Sequence, residues 1–585
     1  MQLGSKIILV ICAAMGICLG VGVYQRTDQT AAHYVITGGD IITMDADLTT
    51  GANGLAPSYA PTHVAIHGKR IIAVGSQQEI EANRRWFTRT IDLKGQTLMP
   101  GMIDVHSHPV AGAVLNSWLD VSGFSYPKSE QVYAALKDKI AETPKGEVIQ
   151  AFGLDTILTP DLVLPTRELL DELAPDNPLF ILSQIMHTAW FNSAALEASG
   201  YDDTVQDPPG GYFERSENGR LNGVVHEEAM RMLLVDPASG WLGKAKQLIN
   251  IRRSFINEYN EYSKAGLTTI TALGAAPMFD GYMAFLEHIA TRSNSPVRTF
   301  LAPMVYELHK TEYTPNYENG LFRLAGVKFH LDGSPWTGGM ATAEPYLEND
   351  FTLNTIKMSL NNRGILKYEP EDFKAKWAQY HDAGWQISVH AHGERAHGLV
   401  LDAIEQAQLA NPRPDARHRM EHLGLFTQSD IKRASKLGVN PSFFINHIYY
   451  FGPTIRDVLL GEERAERFMP LRWATENFEQ VTLHLDAPAM PIDPWRMLKT
   501  ATTRIPRFSD EPFNTSQLMS VQHALEAVTI DAAYQLKAED DIGSIEVGKF
   551  ADFTLLNKNP LKTEPEKWDS IRSTGTWLAG KPVWH

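Results

Sequence analysis

His106 and His108 sit in the run MPGMIDVHSHP with one residue between them. The apolar run ending IDVH reads as a buried strand, and strand side chains alternate faces with period two, so both imidazoles can face one side. Two imidazoles so placed can chelate one divalent ion, each nitrogen about 2.0–2.1 Å from a zinc. A His-x-His pair alone is a weak signal. Three further ionisable residues, however, close apolar runs later in the chain: His390 ends QISVH, His422 follows RME, and Asp486 ends VTLHLD. Any one of them reads as a hydrogen-bonded core histidine or a capping aspartate, but their coincidence at successive strand ends points to a site. Imidazole and carboxylate without thiolate suit zinc, iron, manganese or nickel, and zinc is the first expectation. Lys328, in LAGVKFHLDG, is costly on a buried strand, which favours a special role over a snorkelling side chain.

The elements that must position these residues alternate. Strand-like runs PLFILSQ (178–184), LAGVKFHLDG (324–333), WQISVHAHG (385–393) and VTLHLDAP (481–488) are separated by helical patterns such as EDFKAKWAQYHDAG (371–384) and QSDIKRASKLG (428–438). Such alternation argues for an α/β fold with a parallel sheet, and in a closed barrel chemistry belongs at the C-terminal strand ends. Residues 33–98 are instead β-rich with glycine-marked turns, and the C-terminal part of 501–585 answers in kind with GSIEVGKFADFTLLNKNP and TGTWLAGKPVWH. Two such pieces can close into one small sheet domain. The stretch 116–236 carries proline- and glycine-rich turns such as DPPGGYFERSENG and reads as an insertion over the barrel mouth, within a barrel region spanning 99–500.

The chain has 585 residues, enough for a barrel of about 250 residues or more plus accessory parts. Its formal net charge of -16 argues against a nucleic-acid partner, since phosphate binding needs a basic face. Residues 1–26 differ from the rest. After Lys6 comes the apolar run IILVICAAMGICLGVGV, which fits an export signal or an uncleaved membrane anchor. Both cysteines, Cys12 and Cys18, lie in this run, so the remainder can form neither disulfides nor thiolate metal sites. The expected location is periplasmic or membrane-anchored, with the catalytic part outside the cytoplasm.

The landmarks PGMIDVHSH, HTAWFNSAAL, GVVHEEA, VKFHLDGS, VHAHGERA, RMEHLG, HLDAPAMPIDP and GSIEVGKFADF, in that order, resemble the amidohydrolase superfamily. The similarity is to its family 3, or YtcJ-like, branch, which includes N-substituted formamide deformylase, and it covers the chain from about residue 34 onward. The resemblance implies a (β/α)8 TIM-type barrel with the N- and C-terminal β pieces joined in a sandwich. It implies that His106 and His108 bind one metal ion, that His390 and His422 bind another, and that a carboxylated Lys328 bridges them. If Lys328 is unmodified, a single ion is expected. Asp486 is then the general base and acid between metal and attacking water.

Two departures stand out. The usual VHAIGDRA reads VHAHGERA, introducing His392 and Glu394, and His484-Leu485 replaces small residues before Asp486. His392 shares a strand face with His390 and rivals it as a ligand. His187, Trp190, Asp332, Trp336, His392, His447 and His484 are candidates for the substrate wall; Glu228, and Asp332 as an alternative role, are candidates for orienting ligands from behind. The expected reaction is hydrolysis of a carbon–nitrogen bond in a small molecule, an N-substituted formamide or similar amide first. An ester, a lactone, a cyclic amide or a deaminable ring is the alternative, and a non-enzymatic metal-binding protein the lesser one. No Gly-x-Ser-x-Gly elbow supports a serine hydrolase. A membrane tether through residues 1–26 and a homodimer complete the partners considered.

Overall fold

Parallel strands form at the apolar runs of the central alternation, several of them ending in or next to ionisable residues. They are β1 (Met102–Ser107), β2 (Leu267–Leu273), β3 (Arg298–Ala302), β4 (Val327–His330), β5 (Ile387–Ala391), β6 (Arg419–His422), β7 (Asn440–Phe443) and β8 (Thr482–Leu483). The computed structural model describes residues 29–45, 61–184, 186, 188–208, 211–227, 229–230, 240–274 and 281–584. Every residue of β1 and β2 is buried, as expected of strands covered on both faces.

β3, β2 and β1 are neighbours in one parallel set, and β4 to β8 follow one another in a second. Two seams bring the sets together. At one, Lys328 N donates to Pro303 O at 2.8 Å and Val305 N donates to Lys328 O at 3.1 Å. At the other, Asp486 N donates to His106 O at 2.9 Å and His108 N donates to Ala487 O at 2.7 Å. The C-terminal ends of these strands therefore meet on one side. Helices pack outside them with apolar faces of helical period: Pro370–Asp382 buries Phe373, Trp377 and His381 at successive intervals of four.

Between β1 and β2 the chain builds a separate six-stranded sheet. Its order is Gly211–Arg215, Leu221–Glu227, Thr188–Phe191, Leu179–Ser183, Ile149–Leu154, Leu119–Asp120. The run PLFILSQ, read from sequence with the strands of the central alternation, belongs to this sheet instead. A short apolar run is the same pattern in any buried strand, so only its partners could assign it.

The β-rich ends of the chain do meet. Thr97–Pro100 pairs antiparallel with Phe553–Leu556 in a five-stranded sheet that also holds Asp40–Ile41, Ser573–Leu578 and Lys581–Trp584. A four-stranded sheet of Tyr34–Thr37, His63–His67, Arg70–Gly75 and Arg89–Asp92 shares an apolar cluster with it, including Ile36, Ile66, Leu98, Phe553 and Trp577. Among the described residues no helix is long and apolar enough to cross a membrane. Residues 1–26, His187 and Glu228 lie outside the described residues.

Candidate metal centre at the strand ends

His106 and His108 converge on one oxygen. Their Nε2 atoms lie 3.4 and 3.0 Å from Asp486 Oδ1. The side chains of His108 and Asp486 keep 21% and 13% exposure, whereas His106 keeps 1%, so the first two face the open side of the site. Around them stand rings from β5, β6 and the end of β8. His106 and His422 have centroids 4.9 Å apart, His390 and His422 4.3 Å, and His106 and His484 4.5 Å. Two sets of nitrogen and oxygen atoms lie close enough to hold a metal ion: His106, His422 and His484, and His106, His108 and Asp486.

Buried carboxylates aim these imidazoles. His106 Nδ1 lies 3.0 Å from Glu421 Oε2, and Arg419 Nε donates to the other oxygen of Glu421 at 2.8 Å. A carboxylate only accepts, so Nδ1 carries the hydrogen and the Nε2 lone pair faces Asp486. His390 Nδ1 is likewise 2.9 Å from Asp332 Oδ1. Asp104 accepts from Leu485 N at 3.1 Å and from His106 N at 3.3 Å, and it also bonds Ser107 Oγ, so it ties the ends of β1 and β8 together.

Burial sets the protonation states. It holds His106, His390, His422 and His484 well below the usual histidine range, which leaves them neutral with lone pairs to offer. It pushes Asp104 up to about 7 and brings the Lys328 amine down to about 8, the latter against the pull of Glu421. Burial pushes Asp486 up too, but the His108 contact and the surrounding positive groups outweigh it. The Asp486 carboxyl ends below the usual carboxylate range. The Lys328 Nζ is buried without a hydrogen-bond partner, as are the Nδ1 atoms of His108, His392 and His447.

The backbone at two of these positions is strained. His422 and Asp486 have φ of +76° and +57°, a region costing a residue with a side chain about 1–2 kcal/mol. The Asp486 N–H bond to His106 O holds one turn, and Leu423 N donating to Ala391 O at 3.2 Å holds the other.

A family model described as the amidohydrolase family matches residues 89–584. The chain belongs to the amidohydrolase family. Arabidopsis thaliana protein LONG AFTER FAR-RED 3 is 26% identical over 94% of this chain and 92% of its own length. N-substituted formamide deformylase of Arthrobacter pascens is 23% identical over 88% and 94% respectively. Among solved structures, a metal-dependent hydrolase of Pyrococcus horikoshii superposes with a TM-score of 0.69 at 20% identity, covering 91% of this chain and 99% of that one. This amidohydrolase is therefore a hydrolase, and its histidine cluster is of a kind that can bind metal.

The remaining sequence candidates fall in different places around the amidohydrolase centre. His392 stacks on His422 at 4.7 Å and on His447 at 5.3 Å, and Trp336 meets His447 edge-on at 5.4 Å, so these side chains form one continuous wall. Burial pushes His392 and His447 down to about 3. His484, expected on that wall, has no exposed surface and lies against His106 and His422. Asp332 also has no exposed surface; it receives the His392, Gly393 and Ala341 N–H groups and stands behind His390. Trp190 packs in the apolar cluster of the six-stranded sheet with Val121, Leu154 and Ile181, not among the histidines. Glu394 opens the helix Glu394–Ala410 and pairs with Arg467 at 3.2 Å. Asp104, Arg419 and Glu421 lay inside quoted motifs but carried no sequence reading. Their signal was that they are charged residues within otherwise apolar strands.

Proposed function

We propose that the protein hydrolyses a carbon–nitrogen bond of a small molecule, with an N-substituted formamide or similar amide as the first substrate class. The observation that carries the reading is the convergence of the His106 and His108 Nε2 atoms on an ionised Asp486, beside neutral His390 and His422. The formamide class is supported by the relative from Arthrobacter pascens.

In this reading His106 and His108 hold one divalent ion, and His390 and His422 hold a second, zinc being the best match to imidazole and carboxylate donors. The donors fit, because burial keeps the rings of His106, His390 and His422 neutral and the carboxyl groups of Glu421 and Asp332 orient two of them. Lys328, its buried Nζ unpaired and its amine brought down to about 8 by burial, would take up carbon dioxide as a carbamate with loss of one proton, adding an anionic oxygen donor to the set. When bound, a divalent ion supplies Lewis acidity, which makes water acidic enough to ionise near neutral pH and polarises a carbonyl. Asp486 takes the proton of the attacking water and returns it to the nitrogen as the carbon–nitrogen bond breaks. His392, His447 and Trp336 wall the acyl or amine side and keep that region free of charge. A panel of N-substituted formamides, esters, lactones and amino-heterocycles, assayed for acid, amine or ammonia release, tests the class. Turnover of none of the amides would refute it, and a metal-free wild type with full activity would refute the mechanism.

The architecture proposed is a (β/α)8 barrel of β1 to β8, supported by the hydrogen bonds at both seams between the two parallel sets. The two terminal sheets form a β-sandwich beside it, supported by their common apolar cluster. We also propose export directed by residues 1–26, on the strength of their apolar run. Cell fractionation with that segment deleted tests it, and an unchanged location would overturn it.

A further inference from the structure

His484 is left idle by the reaction described above, yet it is built into the centre. It follows β8 directly, two residues before Asp486, and has no exposed surface. Its Nδ1 lies 2.8 Å from Ser442 Oγ, which leaves Nε2 directed at His422. That nitrogen is 3.4 Å from His422 Nδ1. His106 has given its Nδ1 to Glu421, so Nε2 is its free nitrogen. One nitrogen from each of His106, His422 and His484 lies within 4.8 Å of the other two, and all three residues are buried.

The His422–His484 separation separates two explanations. Donor and acceptor in an N–H hydrogen bond usually stand about 2.7–3.2 Å apart, so 3.4 Å is long for one. Two nitrogens at about 2.0–2.1 Å from one tetrahedral zinc stand about 3.3–3.4 Å apart. Three imidazoles with a fourth position open are also a ligand set that zinc takes in catalytic sites. Ser442 supplies the outer partner that holds the His484 ring, and when its hydroxyl accepts from Nδ1–H the Nε2 lone pair faces the ion.

We infer that His106, His422 and His484 form a three-imidazole position for one divalent cation of the zinc class, at the floor of the centre, with His484 as a ligand. The inference rests on the metal reading above but divides its ligands differently, because the single Nε2 lone pair of His106 serves either this ion or the one shared with His108. If His484 were merely a strut between Ser442 and His422, metal binding would be indifferent to its replacement by another hydrogen-bonding side chain.

The full chain, stripped by chelation and titrated with Zn2+ and Co2+, tests this. His484→Gln, which keeps polarity and approximate size, is expected to weaken Zn2+ at least 10-fold and to alter the visible Co2+ spectrum. Asp486→Asn, in contrast, should retain Co2+. Unchanged affinity, stoichiometry and spectrum in His484→Gln would overturn the inference. Should that variant fail to fold, Ser442→Ala is expected to weaken Zn2+ several-fold by freeing the His484 ring, and an unchanged affinity there overturns it equally. Zinc-edge absorption of the wild type loaded with one equivalent should count three imidazoles; two would overturn it. A wild type binding neither ion would instead refute the metal reading itself.

Discussion

Glu421→Gln separates the two jobs that one buried carboxylate performs. Glu421 has no exposed surface; one oxygen takes the Arg419 Nε–H at 2.8 Å and the other faces His106 Nδ1 at 3.0 Å. Glutamine can still accept from Arg419, but its NH2 group then meets His106 Nδ1. The ring answers by accepting there and protonating Nε2, the nitrogen needed for metal. Loss of such an outer partner costs about 10–100-fold in metal affinity, or about 1.4–2.8 kcal/mol. Arg419, fully buried, also loses its counter-charge, and breaking a buried pair costs about 3–5 kcal/mol of stability. The stability loss is thus the larger effect, and the binding loss the more specific one. Isothermal titration with Zn2+ and urea unfolding of the metal-free protein read them separately. Arg419→Met combined with Glu421→Gln should recover much of the stability, less the bond from Arg419 Nη2 to Val105 O, and none of the Zn2+ affinity. Wild-type affinity in Glu421→Gln, or recovery of both quantities in the double variant, would refute the proposed aiming of His106.

Asp486→Asn should retain Zn2+ yet lower kcat by about 10²–10⁴-fold, the usual worth of a positioned proton carrier, in a single-substrate turnover assay. Glu258, buried and bonded to Asn116, is pushed up to about 7 by burial, against an ordinary value of 4.5. Between those values the folded state holds a proton the unfolded chain has released, so stability falls as pH rises through the window. Glu258→Gln should remove this slope and gain roughly 3 kcal/mol at pH 8 by urea unfolding. Gly274, at φ +68°, leaves room for Lys328: an added Cβ would stand 2.8 Å from Lys328 Cγ and 2.9 Å from Met304 Sδ. Gly274→Ala should therefore cost about 1–3 kcal/mol and disturb metal stoichiometry, measured by elemental analysis.

The sequence by itself determined which residues stand at strand ends. Alternation with period two and the break from apolar to ionisable residues marked His106, His390, His422 and Asp486, and the structure brings them into one cluster. It also determined the α/β class and the β-rich character of both ends, because helical and strand periods are local properties of the chain, whereas the pairing of those ends came only with the fold. Only the tertiary structure decided how the side chains point. Period two puts His422 and Glu421 on opposite faces, and a left-handed φ at His422 turns its ring back toward the others. The partners Glu421 and His106 lie 315 residues apart, Leu485 and Asp104 381 apart, and no local pattern encodes such pairs. For the same reason Trp190 went to a separate sheet, and His484 to the floor of the centre. Burial then chose the protonation states, since the cost of charging an imidazole depends on what surrounds it and not on its neighbours in sequence.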